Sequence, residues 1–575
     1  MSATADTPNR LAAARTGAGM AASLPRALTI FLTASAVLAP LSLIFYQSLL
    51  SAPFFDAVKT VGLDSYRFVF ADPDFWSALR NSLMIAAGMT LIAVPLGAVL
   101  AFVMERTDFP AKRWIEPLLL VPSFVSPMVL SFGYVVAAGP VGFYSVLATD
   151  IFGDVPWGLY SLTAIAVIAG LTHVPNVYLY ASAALKSLGS DVEEAARVAG
   201  ASPLRVALSV SLPLIAPALL FSTVLVFFLG LELFGLPLVL GDPEGHLVLS
   251  TYLYKLTNKL GTPSYHLMAA VAVCIIALTV PLVLLQRRLL QNARKYATIK
   301  GKAGRIRDLP LGRWKWPAVT LVGFWVFVAV IVPISGIALR AFVTNWGFGV
   351  NLLEAFTLDG LRSVVDEPTH VRAIWNTVLI GTVGGAITVA CYTAIGFATH
   401  RRNDGWSRVV DYLVLAPRAV PGLLIGLAFL WVFLFFPPLT PLRQTIFSMW
   451  LAYTVVWLAY GMRLISSSLM QVSTELEEAA RTVGAGRGRI SREITLPLIR
   501  HGLIGSWLLV FMIFEREYST GVYLLAPGTE VIGAQLVSLW QGGAIDIVAA
   551  LSLINIVLVF IGLAIALRFG VKLRD

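Results

Sequence analysis

The chain has 575 residues, 58 % of them hydrophobic and 13 % charged, with a formal net charge of +10 and a mean hydropathy of +0.81. A soluble chain of this size carries about a quarter charged residues, so a soluble globular protein is excluded and an all-α polytopic membrane protein is expected. The two cysteines, Cys274 and Cys391, lie inside apolar runs without CxxC or Cys/His spacing, and read as packing residues rather than a disulfide or metal site.

Residues 1–26 are polar and Ala/Gly-rich, with Arg10, Arg15 and Arg26, and are expected to form a disordered cytoplasmic tail. Apolar runs follow at 27–50, 81–104, 114–138, 158–184, 209–231 and 266–286. A second set occupies 316–340, 375–399, 409–436, 443–465, 495–514 and 544–568. Each is long enough to cross a ~30 Å hydrocarbon core as a helix, which predicts about 12 transmembrane helices. The first run is too long for a signal-peptide core and is read as a retained helix. The division expected is a tail (1–26), a first six-span half (27–286), a linker (287–315) and a second half (316–575).

Lys and Arg concentrate on one side of this topology. The 287–315 linker is densely basic with one acid, Asp308; Arg106, Lys112, Arg113, Arg401, Arg402, Arg408 and the C-terminal "RFGVKLRD" fall on the same side. Loops 51–79 and 341–373 on the other side carry more acids than bases. The positive-inside rule therefore predicts both termini and the linker in the cytoplasm. Topology accounts for the basic charge, and no nucleic-acid partner is expected.

The two halves repeat. "VEEAARVAGASPLRVALSVSLPLI" matches "LEEAARTVGAGRGRISREITLPLI" without a gap, at an offset of 284 residues. Upstream, "RNSLMIAAG" parallels "WNTVLIGTV" and "VPSFVSPMVL" parallels "APRAVPGLLI" at an offset near 295, so the first half holds an extra stretch, assigned to 140–158. Such a same-orientation duplication implies a pseudo-two-fold axis along the membrane normal. In the motif itself, Asp191 suits an N-cap and acids occupy the first turn. Glu193 and Glu194 stand at helical spacing from Arg197, as do Glu477 and Glu478 from Arg481. Gly200 and Gly484 stand where a left-handed residue ends a helix. Ser202 and Pro203 then restart one as N-cap and first residue. The product is a short surface helix between the fourth and fifth spans of each half.

The pattern Glu194-Ala195-Ala196…Gly200…Leu212-Pro213, repeated as Glu478-Ala479-Ala480…Gly484…Leu496-Pro497, resembles the cytoplasmic loop signature of permease subunits of binding-protein-dependent ABC importers. The resemblance covers nearly the whole chain, as two fused six-helix permease domains of type I importer fold. It implies that these loops are coupling helices, docking on a cytoplasmic ATPase and passing its closure to the membrane helices through Glu194, Gly200, Glu478 and Gly484. It also implies a bacterial inner membrane, two copies of the ATPase subunit, and a periplasmic or lipid-anchored substrate-binding protein. No G-x-x-x-x-G-K-[ST] stretch is present, so ATP-Mg is expected on the partner, no cofactor is expected on this chain, and the chain is not expected to be an enzyme. The fused architecture, with "LELFGLPLVLG" and "FEREYSTGVYLLAPGTEVIG", looks most like ferric-iron importer permeases. Thiamine, polyamine, sulfate and phosphonate systems remain alternatives for substrate.

A secondary transporter, the remaining alternative class, would need coupling carboxylates in mid-span, and spans two, three, five, six, eight and twelve show almost none; a membrane enzyme would need a cluster of Asp, His or Cys at a membrane face, and no candidate is found. The ionisable residues bordering spans are Glu232 after the fifth run and Glu515, Arg516 and Glu517 after the eleventh. They read either as a ring at a pathway mouth, where acids favour cations, or as interfacial anchors and mutual ion pairs. Arg418 beside Pro417 and Pro421, and His173 beside Pro175, are expected in Pro-interrupted helices that line a cavity or pack internally. Asn81 and Asn376 are repeat-matched and expected to hydrogen-bond between elements. Residues 525–543 either meet an external protein or re-enter the membrane.

Overall fold

A computed structural model describes residues 7–187, 191–258, 263–296, 308–343 and 346–568. The core of the basic linker (297–307) and most of the basic C-terminus (569–575) lie outside the described residues. Within them the chain is helical, with isolated bridges and no β-strand. Among the described residues nine helices are long and apolar enough to span a membrane, or up to eleven if each of two bent pairs is one span.

Every expected apolar run falls on helix, and the differences have local causes. The bent pairs are Leu204–Leu214 with Ala216–Leu231 (73°) and Gly405–Ala419 with Gly422–Phe435 (109°). The second bend sits at Pro417 and Pro421, where proline removes a backbone donor and restricts the residue before it. The third run breaks in the matching place, between Lys112–Phe124 and Pro127–Ala138. The tenth splits at Trp457 into Ile446–Val456 and Leu458–Met470. The N-terminal segment expected to be disordered is instead helical from Thr7, continuous with the first span to Ser48. Its Ala-rich composition has high helix propensity.

Pro175 does not interrupt its helix, contrary to expectation: Leu162–Ser187 is continuous. The carbonyl that a proline at this position strands is that of Leu171, and Trp325 Nε1, from the seventh span, donates to it at 3.2 Å. A neighbouring helix thus satisfies the group that proline frees.

The first span of each half crosses to the other. Arg26 donates to the Ala398 carbonyl at 3.0 Å and pairs with Asp404 at 2.7 Å, and Tyr46 and Phe54 pack on Phe435. Reciprocally, the seventh span accepts a hydrogen bond from Tyr134 at the Val328 carbonyl and exchanges one between Ser335 and Tyr144 (both 2.9 Å). Gly133 allows this approach: a Cβ there would collide with the Pro333 backbone. Small residues serve this purpose between membrane helices, where packing replaces the hydrophobic effect.

The linker joins one face of the first half. Leu309 donates to the Arg106 carbonyl (2.8 Å), Asp108 to the Leu309 carbonyl (3.0 Å), and Lys112 pairs with Asp308 (3.3 Å). The end of the linker and the 106–113 loop therefore share one membrane face, in the grouping that the charge distribution predicts.

Candidate functional site

The paired motifs form helices Asp191–Val198 and Thr474–Thr482. Both end in the same backbone arrangement. Gly200 (φ +86°) donates to Arg197 O at 2.9 Å and Ala201 to Ala196 O at 3.0 Å. Gly484 (φ +85°) donates to Arg481 O and Ala485 to Ala480 O, both at 3.0 Å. This is a Schellman termination, in which two orphan carbonyls are satisfied and the left-handed residue has to be glycine or close to it. In the first copy Ser202 accepts from the Arg205 N–H at 3.4 Å, as an N-cap to the helix beginning at Pro203.

The Leu-Pro that follows each motif has a structural role of its own. Residues Ala207–Ser211 and Ser491–Thr495 are π-helical turns at the same repeat offset, with the Leu212 and Leu496 N–H groups bonding five residues back. Each turn ends on a hydroxyl residue, Ser211 or Thr495.

Those hydroxyls meet the first glutamate of each pair. Glu193 is 5 % exposed and Glu477 2 %. Glu193 Oε1 accepts from Ser211 at 2.7 Å and lies 3.2 Å from Arg106 Nε. Glu477 accepts from Thr495 at 3.1 Å and is ringed by His400 (3.0 Å), Arg401 (3.1 Å) and Arg481 (3.6 Å). Glu194 and Glu478, the residues carried by the resemblance, are exposed, together with Ala195 and Ala479; Ala196 is half-buried and Ala480 buried. Val192, Val198, Leu476 and Val483 add apolar surface to the exposed side, Val198 at 91 % and Val483 at 84 %. Each helix thus has an anchored acid facing inward and an exposed acid facing out. Sequence reasoning missed the inward pair; the signal was Arg106 and Arg401, matched at the upstream offset of 295.

The span-bordering charges separate into three situations. Glu232 lies 3.9 Å from Arg418, whose guanidinium stands over the Phe228 ring at 4.7 Å. Arg516 donates to the Ser123 carbonyl. Glu232 and Arg516 are repeat partners, as are Ser123 and Arg418, so the two contacts are pseudo-symmetric copies across the interface between halves. Arg516, His173, Asn176, Thr172 and Ser123 line a small cavity there. Glu517 caps its own loop: Oε1 accepts from the N–H and hydroxyl of both Ser519 and Thr520 at 3.0–3.1 Å, and Oε2 from Trp457 Nε1 at 3.0 Å. Glu515 stands apart, 1 % exposed, with neither carboxyl oxygen hydrogen-bonded among the described residues; Asn555 donates to its backbone carbonyl at 3.1 Å.

At the end of the spans away from the coupling helices, Asn81 donates to the Leu247 carbonyl (2.9 Å), and Asn376 to Gly528 (3.1 Å) and Glu530 (2.9 Å). Both tether the loop that follows the fifth span of their half. Glu530 is further fixed by Arg372, whose two donors lie 2.8 and 2.9 Å away and hold its carboxyl below the usual range. Residues Ile532–Gln541, left open between an external contact and membrane re-entry, pack within the chain: Ile532, Ala534, Leu536 and Val537 are buried. The inserted stretch contains a helix, Phe143–Phe152, and helps to line a cavity with Trp157, Tyr160, Glu244 and His246.

Among the described residues no group of three or more His, Cys, Asp or Glu could hold a metal ion. Two repeated bundles, each with a short helix lashed to its span ends and exposing a Glu-Ala face, define the permease of an ABC importer. The chain belongs to the family of binding-protein-dependent transport system inner membrane components, which it matches over residues 93–295 and 386–574. It is 24 % identical to the ferric transport system permease protein FbpB of Actinobacillus pleuropneumoniae, over 83 % of this chain and 69 % of that one. It is 24 % identical to the Fe(3+)-transport system permease protein FbpB 2 of Haemophilus influenzae, over 90 % and 93 %. The molybdenum transport system permease protein ModB of Escherichia coli is 27 % identical over 37 % of this chain and 92 % of its own.

Proposed function

We propose that this permease passes ferric iron from a substrate-binding protein into the bacterial cytoplasm, driven by two copies of a separate ATPase subunit. The observation that carries the ATPase-driven part is the pair of Schellman-terminated helices, each exposing Glu194-Ala195 or Glu478-Ala479. These are the coupling helices. Ala196 and Ala480 pack behind the exposed face, and Gly200 and Gly484 set its exit angle. ATP-Mg is bound and hydrolysed by the partner. The basic face, with both termini, is cytoplasmic; 27–286 and 316–575 act as the two permease domains, and the lipid bilayer covers the apolar spans.

Iron is supported by relatives named for ferric transport that align with both halves of this chain. ModB aligns with about one half, which keeps an oxyanion as a competing substrate; thiamine is the other competitor. The pathway runs between the halves past Glu232, with Glu515, Arg516 and Glu517 at the repeat-matched place in the second half but in different roles.

The test is uptake of labelled ferric iron by iron-starved cells: parent, deletion, and a Gly200→Val/Gly484→Val double variant. Loss in both altered strains, with the variant still in the membrane, is expected. Undiminished iron uptake in the deletion removes iron and makes thiamine and molybdate the next substrates to test.

A further inference from the structure

Each coupling helix is an eight- or nine-residue element, too short to be stable alone, and it leaves through a glycine turn. Its backbone runs only into the fourth and fifth spans of its half, so a push reaches the end of the second span of that half through side-chain contacts. The described residues offer one contact of this kind per half, centred on a buried glutamate; Arg106 is buried with its partner, whereas Arg401 is exposed.

In the first half Arg106 is the last residue of the second span, Pro73–Arg106, and is 1 % exposed. Its Nε reaches Glu193 at 3.2 Å, while Nη2 donates to the Leu185 carbonyl at 2.7 Å, near the end of the fourth span. Ser211, on the π-turn that opens the fifth span, donates to the same carboxylate at 2.7 Å. In the second half Arg401 binds Glu477 at 3.1 Å and the Val472 carbonyl at 2.7 Å, and Thr495 supplies the hydroxyl at 3.1 Å. In the first half one arginine and one glutamate therefore fasten the coupling helix to the ends of three spans at once; in the second, Arg401 and Val472 lie in the connectors just beyond Thr399 and Met470.

We propose that Arg106 and Arg401 are positioning residues that, through Glu193 and Glu477, make each coupling helix one rigid body with the ends of its neighbouring spans, so that ATPase closure is delivered to those spans together. The proposal rests on the coupling-helix reading of the two motifs. A buried ion pair is weak support for overall stability but a strong constraint on geometry, because separating it strands a charge in an apolar site. The halves are unequal. Among the described residues Glu193 is held by one guanidinium, whereas Glu477 also has His400 and Arg481, so the first joint loosens more when its arginine is lost.

The test uses the full chain purified with its ATPase subunits, in a Cys274→Ala/Cys391→Ala background. Spin labels are placed at Arg113→Cys and Val198→Cys for the first joint, and at Asn403→Cys and Val483→Cys for the second; all four sites are exposed. The expected result is a narrow distance distribution in the parent that broadens in Glu193→Gln and Arg106→Met, and broadens less in Arg401→Met. Arg106→Lys keeps the charge but lacks the fork to serve two acceptors, and is expected to be intermediate; it carries the test if Arg106→Met does not insert. In liposomes, ATP hydrolysed per ferric ion delivered should rise about fivefold or more in Arg106→Lys while the ATPase still co-purifies. Unchanged distributions in Glu193→Gln and Arg106→Lys overturn the proposal. Failure of the coupling reading looks different: Glu194→Ala/Glu478→Ala would leave ATPase co-purification and turnover untouched, whatever the spin labels report.

Discussion

Arg26 in the first span and Asp404, 378 residues further on, lie 2.7 Å apart and join the opposite halves of the chain. Asp404 also caps the helix Gly405–Leu415, accepting from the Ser407 N–H at 2.9 Å and its hydroxyl at 2.8 Å. One carboxylate therefore both starts a helix and fastens the crossing span.

The cap donors and the Arg26 guanidinium hold the Asp404 carboxyl well below the ordinary carboxylate range. A depressed pKa contributes stability that is present above the unfolded value of about 4 and lost as pH falls through the folded one. Asp404→Asn is expected to lower the Tm of the detergent-purified protein by a constant amount at neutral pH, and the gap should close in acid. Asp404→Ala, which also removes the cap, should melt lower than Asp404→Asn. A gap that widens on acidification would contradict the assignment.

At Gly484 a Cβ would meet nothing within 4 Å, so the only obstacle to substitution is the positive φ. Asn, which tolerates that region, should leave ATPase co-purification intact, while β-branched Val costs about 1–2 kcal/mol and reshapes the helix exit. Asp belongs with Asn here, making Gly484→Val the sharper probe. Equal co-purification and transport in Gly484→Val and Gly484→Asn would show that the turn geometry is not used.

Much of this was legible beforehand, for identifiable reasons. Span positions follow from length and apolarity, and the repeat from Glu194 and Glu478 standing at one offset with Gly200 and Gly484. The interruption at Pro417 and Pro421 was legible from the prolines, but its 109° angle was not, because hydropathy does not see direction. Which of two adjacent glutamates faces inward depends on helix phase against a partner, and that partner, Arg106, lies 87 residues upstream of Glu193. The crossing of the first span rests on Arg26 and Phe435 contacts that no local pattern encodes.

Asn376 satisfies two carbonyls of its loop and Asn81 one. Removing a buried donor strands its acceptors, at a cost of about 1 kcal/mol each in a membrane setting. Asn376→Ala is therefore expected to destabilise roughly twice as much as Asn81→Ala in thermal unfolding. The reverse order would mean that the 528–530 loop is held by the Arg372–Glu530 pair alone.

Glu232 and Glu517 invite the same substitution and should answer it differently. Glu517 has five donors on its two oxygens, so Glu517→Gln places an amide N–H₂ against either Trp457 Nε1 or the Ser519–Thr520 cluster and is expected to lower stability. Among the described residues Glu232 has one loose partner, at 3.9 Å. Glu232→Gln should therefore leave expression and melting close to the parent, making it the cleaner probe of the pathway. If the interface between halves carries a cation past this carboxylate, iron uptake falls in Glu232→Gln without loss of protein. Uptake of every tested cation at parental rates would reduce Glu232 to an interface residue and move the path away from the Glu232–Arg418 and Arg516–Ser123 contacts.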